Sequence, residues 1–552
     1  MEAFYAVVDN VSGFIWGGTW NGAQALPLGF LVVLLLSVGL YFMLRLGFLP
    51  LRRLLPAIGE AWAGRKAQGA DGAITPWQAL STALSGQVGT GNLAGVATAI
   101  TLGGPGAVFW MWVTALLGMA CAFAESSLSV NYRETNEKTG RVHGGPMYYI
   151  KNGLNKGRSK FGGAWGWLAI LFCLGTVFSA ITTGGMIQSN SIAHAMAESA
   201  RSVGVVLPYW AVGLVVAALT FAVIIGGIKS IGSVAGKVVP FMAAFYVVCA
   251  LIVIILHIQY APEAFAMIFR HAFGFEQAAG GAAGYGVLQA VRYGVARGLF
   301  SNEAGQGSAP MAHAAAKTAN PVMQAEIAMI GVFIDTIVIC TMTALVLLTV
   351  PGDFKRNPAR VAAEACIAET AAAAPEGGAE TLFPSAYNPN RAEVIAKNGA
   401  AATAFLERCR ASGVEISDEA MRAATSDLTI PVRFAWQTDA EASAITTRAY
   451  AAGIPGGQWV VAISLFLFAF TTILGWSYYA ETATTYLFGE GAALPTRYLW
   501  VVVIFLGSLV QNTDGLWRLG DIGNASMALP NLLAILLLSG AVVALAKQYG
   551  RK

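Results

Sequence analysis

Apolar side chains recur in runs that are too long for a soluble core and nearly free of charge. About 20 mostly apolar residues are needed for a helix to cross a hydrocarbon layer ~30 Å thick. Eleven runs approach or exceed that length: residues 25–48, 76–102, 105–130, 164–193, 207–228, 237–260, 284–316, 322–350, 457–484, 496–512 and 522–546. The pattern predicts an all-α membrane protein with eleven transmembrane helices. One segment falls outside it. Residues 351–455 hold ten of the 34 basic and thirteen of the 30 acidic residues, with alanine-rich stretches and no long apolar run. Alanine and charged residues favour helix, so this segment reads as a small helical insert outside the membrane.

Two runs are interrupted near their middle. In 76–102 the interruption is Gly86-Gln87-Val88-Gly89-Thr90-Gly91-Asn92, and in 284–316 it extends from Gly298 to Ser308 through Asn302, Glu303, Gly305, Gln306 and Gly307. Bare backbone at that depth is tolerated only where it lines a cavity or is buried in protein. Each interrupted run opens a set of five spans, 76–260 and 284–546. Broken helices at matching places in two halves point to a transporter site between inverted repeats. A broken helix exposes N–H groups at one end and carbonyls at the other, which attract a carboxylate and a cation respectively. A zwitterionic amino acid with a metal cation is the natural guest. The blander alternative is a kink for helix packing, since Gly91 and Gly95 form a small-xxx-small pair.

Composition agrees with lipid as the solvent: 56% of residues are apolar, 12% are charged and the mean hydropathy is +0.60, against about 25% charged in soluble domains. The first 44 residues contain no Lys or Arg, so no signal-peptide pattern begins the chain and the first span is expected to remain as an anchor. Basic residues gather on alternate connections, at Arg45–Lys66, Arg133–Lys160, Lys229–Lys237, Lys317, Arg497 and Lys547–Lys552, while the opposite short connections hold Arg201, Arg270 and Arg518. By the positive-inside rule the N-terminus is external, the C-terminus cytoplasmic and the 351–455 insert external, in a bacterial inner membrane. The net charge of +4 reflects this topology and implies no nucleic-acid partner. Cys366 and Cys409 lie in the insert, where oxidation is permitted; a bridge between them is expected, two unpaired thiols being the alternative. Cys121, Cys173, Cys249 and Cys340 lie inside spans.

Other motifs add little. Gly89–Ala94 fits a dinucleotide fingerprint only formally, since the strand and soluble βαβ unit it requires are missing from this pattern. Gly232–Lys237 is one residue short of a phosphate loop. The five histidines form no zinc-binding spacing, and no G-x-S-x-G serine-hydrolase motif occurs; no enzyme is indicated. Among intramembrane ionisable groups, Asp335 and Arg297 are expected to neutralise each other as a structural pair. Glu303 is placed to shape the second break, and Glu125 and Glu481 fall near cytoplasmic ends, where gating or simple hydration suffices.

The stretches Ser81–Leu84 with Val88–Asn92, Gly103–Trp112, Gly144–Tyr148, Gly298–Gly305 and Leu474–Tyr479 resemble the alanine/glycine:cation symporter family, over roughly 26–350 and 455–546. The resemblance implies a leucine-transporter-like fold: a leading helix and then two inverted five-helix repeats with broken first helices. The corresponding division is 1–75 for the leading helix and an amphipathic cytoplasmic linker, 76–262 for the first repeat, and 283–350 with 456–546 for the second. It also implies a substrate site of Thr90, Gly91, Asn92, Gln188, Phe300, Ser301, Thr472 and Trp476. Sodium is then expected between the carbonyls of Ser85 and Val88 and the hydroxyls of Thr471 and Thr472, with Thr472 in both sets; helix-packing hydroxyls are the bland alternative for the two threonines. The family as pictured has only a short connection at the insert, so the resemblance is silent on 351–450.

The resulting expectation is a sodium- or proton-coupled symporter that imports alanine or glycine, with no cofactor beyond the coupling ion. A rival reading keeps the pocket but makes the protein an amino-acid-sensing receptor whose insert binds a partner. A channel would need a continuous polar pore, which two isolated breaks do not supply.

Overall fold

The structure is a computed structural model that describes residues 2–20, 23–26, 28–67, 71–137, 139–156, 163–201, 204–273, 281–350, 407, 442–510 and 513–550. The expected Cys366–Cys409 bridge, and most of the 351–455 insert, lie outside the described residues.

A short helix α1 (Glu2–Ser12) leads into α2 (Phe30–Arg45), and α3 (Leu54–Ala63) connects that to the first interrupted run. That run appears as α4 (Pro76–Gln87) and α5 (Ala94–Gly103), followed by α6 (Gly106–Asn131), α7 (Gly166–Arg201), α8 (Tyr209–Ile224) and α9 (Gly227–Leu256). An amphipathic helix α10 (Ala261–Phe273) precedes the second interrupted run, α11 (Gly281–Asn302) and α12 (Ala309–Ala314). The chain continues through α13 (Pro321–Thr349), α14 (Ala442–Gly453), α15 (Gly457–Phe488), α16 (Glu490–Ser508), α17 (Gly515–Leu537) and α18 (Ser539–Tyr549).

Among the described residues, seven helices are long and apolar enough to cross a membrane: α6, α7, α9, α13, α15, α16 and α17. The protein is a multi-pass, all-α membrane protein. The runs at 25–48 and 207–228 appear as 16-residue helices, α2 and α8, each about 24 Å long at 1.5 Å per residue. Those at 76–102 and 284–316 are cut into pieces. The last expected span is also redrawn: 522–546 joins the second half of α17 to α18 across a turn at Leu538, and Pro530 lies inside α17.

Local chemistry accounts for several boundaries. Pro76 opens α4 behind a capping box, in which the Thr75 hydroxyl accepts from the Gln78 N–H at 3.2 Å and the Gln78 side chain accepts from the Thr75 N–H at 3.0 Å. Asn320 caps α13 by accepting from the N–H groups of Val322 and Met323, with Pro321 next in line. Wide π-type turns interrupt α7 at Ala180–Met186 and α13 at Phe333–Cys340; such turns often mark functional places in a helix.

Large apolar side chains point outward around the bundle, among them Leu219, Phe241, Ile255 and Leu499, as lipid contact requires. The interior is tightly packed around Trp476, Tyr149, Tyr246, Tyr450 and Tyr479. The end of the expected external insert belongs to this interior. In α14, Tyr450 is buried against Tyr246 and the Thr446 hydroxyl donates to the Leu93 carbonyl at 3.2 Å.

Candidate substrate and cation site

Helix α4 ends where glycine and amide residues replace helix formers. Val88 takes an extended conformation, Gly89 follows at φ −140° and ψ −150°, and a single tight turn spans Thr90–Asn92 before α5 begins. The Asn92 side chain holds this shape. Its Oδ1 accepts from the Gly89 N–H at 2.9 Å, while its Nδ2 donates to Asp335 Oδ1 at 2.7 Å. The Asn92 carbonyl accepts from Thr343 at 2.7 Å.

The second break is shaped by left-handed backbone. Glu303, Gly305 and Gly307 have φ of +56°, +85° and +85°, and a non-glycine residue there is strained. The Glu303 carboxylate accepts from the Ser308 hydroxyl at 2.5 Å, with Trp476 beside it. Gln87 on the first break donates to the Asn302 carbonyl on the second at 2.8 Å. Asn302 Nδ2 then donates to Thr336 at 3.1 Å, and Thr336 to Asp335 at 2.7 Å. The two breaks therefore close one buried polar ring through Gln87, Asn302, Thr336, Asp335 and Asn92.

The expected substrate residues fall around this ring. The Thr90 N–H donates to Gln188 Oε1 at 3.3 Å, and the Thr90 hydroxyl is buried with no hydrogen-bond partner among the described residues. Phe300 packs on Gly91, where an added Cβ would stand 3.0 Å from the ring. Ser301 is fully buried, 3.3 Å from Cys340 Sγ. Trp476 is 1% exposed and covers Gly184, where a Cβ would lie 2.4 Å from the indole.

The expected sodium residues are brought together only in part. The Thr472 hydroxyl donates to the Val88 carbonyl at 3.1 Å and to the Phe468 carbonyl at 2.9 Å. Ser85 is apposed to α15 at Gly475, where a Cβ would meet its hydroxyl at 2.7 Å. The Thr471 hydroxyl instead turns to the Phe468 carbonyl and Met242 Sδ, at 3.0 and 3.3 Å. These carbonyl and hydroxyl oxygens are hard ligands that suit an alkali cation.

The expected Arg297–Asp335 pair is corrected, and of the two alternatives for Glu125 and Glu481, simple hydration is the one their surroundings oppose. Arg297 does not pair with Asp335: its Nη2 donates to both Asp521 oxygens, at 3.0 and 2.8 Å, and its guanidinium lies near the Phe300 and Trp517 rings, which meet at a tilt. Helical side chains lean toward the N-terminus, so Arg297 reaches away from the break, whereas Asp335 stays level with Asn92. Glu125 is not hydrated at a helix end; it is buried and accepts from Asn531 Nδ2. Glu481 makes a two-pronged pair with Arg497, at 2.7 Å for each bond.

Residues beyond the expected set are Gln87, Asn302, Thr336 and Thr343, which join the breaks, and Tyr479, which packs on Gly86 and Trp476. Gln87 and Asn302 already stood inside the interrupted stretches, and Thr336 beside an intramembrane aspartate. A cavity of about 450 Å³ lies elsewhere, at the far end of α15, lined by Glu134, His143, Lys151, Tyr486 and Glu490 among others.

The sodium:alanine symporter family model matches residues 2–378 and 418–552. The chain belongs to that family. The match enters the insert from both ends, well past the limits expected from the motifs. A sodium/alanine symporter, AgcS, of Methanococcus maripaludis is 37% identical over 549 residues, covering 99% of this chain and 97% of the relative. A probable sodium/glutamine symporter, GlnT, of Bacillus subtilis is 32% identical, covering 95% and 88%. An amino-acid carrier protein, AlsT, of the same organism is 31% identical, covering 100% and 94%. The family's members thus carry names with different amino acids, so membership leaves the size of the cargo open.

Proposed function

We propose that this protein is a sodium-coupled symporter that imports a small neutral amino acid, alanine or glycine, by alternating access. The observation that carries the reading is the pair of helix breaks joined by one buried polar ring, with the buried Thr90 hydroxyl of the first break unpartnered among the described residues. The substrate carboxylate docks on backbone N–H groups freed by the first break, next to Thr90, Gly91 and Asn92. Its small side chain lies between Phe300 and Trp476, with Gln188 and Ser301 at the flanks. Sodium lies between the Ser85 and Val88 carbonyls and the Thr472 hydroxyl. Thr471 belongs to this site only if its side chain rotates away from Met242.

The architecture that goes with this reading is eleven spans: the leading helix within 1–75, a first repeat over 76–262, and an inverted second repeat over 283–350 and 456–546. The N-terminus and the 351–455 insert are external and the C-terminus is cytoplasmic. One sodium entering across ~100 mV contributes about 2.3 kcal/mol, and a roughly tenfold sodium gradient about 1.4 kcal/mol more. Together these sustain a substrate gradient of a few hundredfold.

The test is entry of labelled alanine into proteoliposomes. Time-dependent accumulation in the lumen supports transport. Saturable binding without accumulation supports the receptor reading, in which the insert docks a partner.

A further inference from the structure

The linker before the first broken helix has two opposed faces. On one side of Leu49–Ala63, Pro50, Ala57 and Ala61 are buried. On the other, Leu51, Leu55, Ile58 and Trp62 recur at a spacing of three or four residues, with Leu55 78% and Trp62 59% exposed. Such spacing puts Leu55, Ile58 and Trp62 in one stripe along α3, with Leu51 on the short helical turn Leu49–Arg52 that precedes it. Arg45 and Arg52 flank this stripe at one end, and Arg65 and Lys66 at the other; all four are exposed. The Arg65 guanidinium lies directly over the Trp62 ring, 3.0 Å from its centre.

Residues of the linker also hold it to its neighbours. Arg53 donates to both oxygens of Glu326 on α13, at 3.1 and 3.0 Å, and to Glu60 at 3.0 Å. Trp62 meets Trp77, the second residue of α4, edge to face at 6.0 Å. α3 therefore touches both the first half of the broken helix and the helix that carries Asp335.

We propose that the exposed face of α3 docks on an anionic phospholipid leaflet. An apolar stripe with a Trp and flanking arginines and lysines is the signature of a helix lying in a membrane interface. The four cations choose the anionic surface, each contributing roughly a fivefold preference, about 1 kcal/mol. The chain places the helix near the right level: eight residues separate the end of the apolar helix α2 from α3, which precedes α4. Arg53 and Glu60 pair within the protein, and among the described residues Arg45, Arg52, Arg65 and Lys66 form no ion pair, so their charge is left for the lipid-facing side.

The test uses the full-length protein in nanodiscs of phosphatidylcholine alone and of phosphatidylcholine with phosphatidylglycerol. Amide hydrogen exchange over residues 49–66 is measured in both. Exchange is expected to slow severalfold with phosphatidylglycerol, and an R52Q/R65Q/K66Q variant is expected to lose most of that response while keeping its apolar stripe. Inorganic phosphate added to the phosphatidylcholine discs is expected to give no protection. Equal exchange in the two lipids, an unchanged response in the variant, or full protection by phosphate alone would overturn the proposal. Protection of α6 and α13 serves as the control that the variant is folded.

Discussion

Trp476 packs so closely on Gly184 that a methyl group cannot be inserted between them, and its other neighbours are Tyr479 and Glu303. On the proposed reading, this stiff ring limits what fits between it and Phe300. One methylene gained or refused is worth about 1–3 kcal/mol, roughly 10–200-fold in selectivity. Trp476→Ala is therefore expected to weaken alanine and to admit valine or leucine, read by competition against labelled alanine on folded protein. An unchanged size ranking would place Trp476 outside the pocket. The two neighbouring threonines are expected to separate. Thr472 touches the Val88 carbonyl and Thr471 does not. Thr472→Ala should raise the sodium concentration for half-maximal uptake by about tenfold, equivalent to 1.4 kcal/mol, with a smaller change for Thr471→Ala. Equal shifts would contradict the geometry. The Arg297–Asp521 pair makes a further prediction at this scale. Both side chains are largely buried, 10% and 16% exposed, and breaking such a pair from one side costs about 3–5 kcal/mol. Asp521→Asn should lower the thermal midpoint clearly, and R297M/D521L should recover much of the loss.

At the scale of elements, the breaks were legible in the sequence because glycine and amide side chains stood where helix formers belong. Their partners were not. Arg297 and Asp335 both lie near mid-span, and only the direction of the side chains separates them. The same limit hid the ring through Gln87, Asn302 and Thr336, whose members come from three helices far apart in the chain. The register between helices, which no single run encodes, decides such contacts. A comparable knot lies where α6 ends. The Arg133 guanidinium donates to four carbonyls, those of Asp71, Ala314, Ala316 and Thr318, at 2.7 to 3.0 Å. Beside it, Ile74 bridges to Ala316. The start of α4 and the end of α12 are thereby tied together. Burial lowers the Arg133 pKa from its ordinary value, with Asp71 opposing the shift. Arg133→Ala leaves buried carbonyls unpaired, at about 1–3 kcal/mol for each group that water cannot reach. The variant should show faster amide exchange over residues 71–75 and 314–318 and little change in α9. Unchanged exchange there would mean that the tie holds nothing.

For the whole molecule, the apolar runs were enough to specify an all-α membrane protein, because length and hydropathy alone decide whether a helix can span. The insert shows where that logic ends. Its last helix, α14, is buried against Leu93 and Tyr246, although its alanine-rich sequence lacks the apolar length of a span. Within the insert, Cys366 and Cys409 enclose 42 intervening residues. A bridge would add roughly 3–4 kcal/mol in the chain-entropy view. Peptide mapping without reductant should recover the two cysteine peptides joined, and alkylation of both thiols before reduction would refute the bridge.

The central claim is that sodium entry drives the amino acid inward. Its most direct test is uphill accumulation of labelled alanine in proteoliposomes with equal potassium on both sides and valinomycin to hold the membrane potential at zero, the inward sodium gradient being balanced by choline. A tenfold inward sodium gradient should concentrate alanine about tenfold for each sodium coupled, and a sodium ionophore should collapse the accumulation. Equilibration of alanine to equal concentrations, with or without the sodium gradient, would contradict the account.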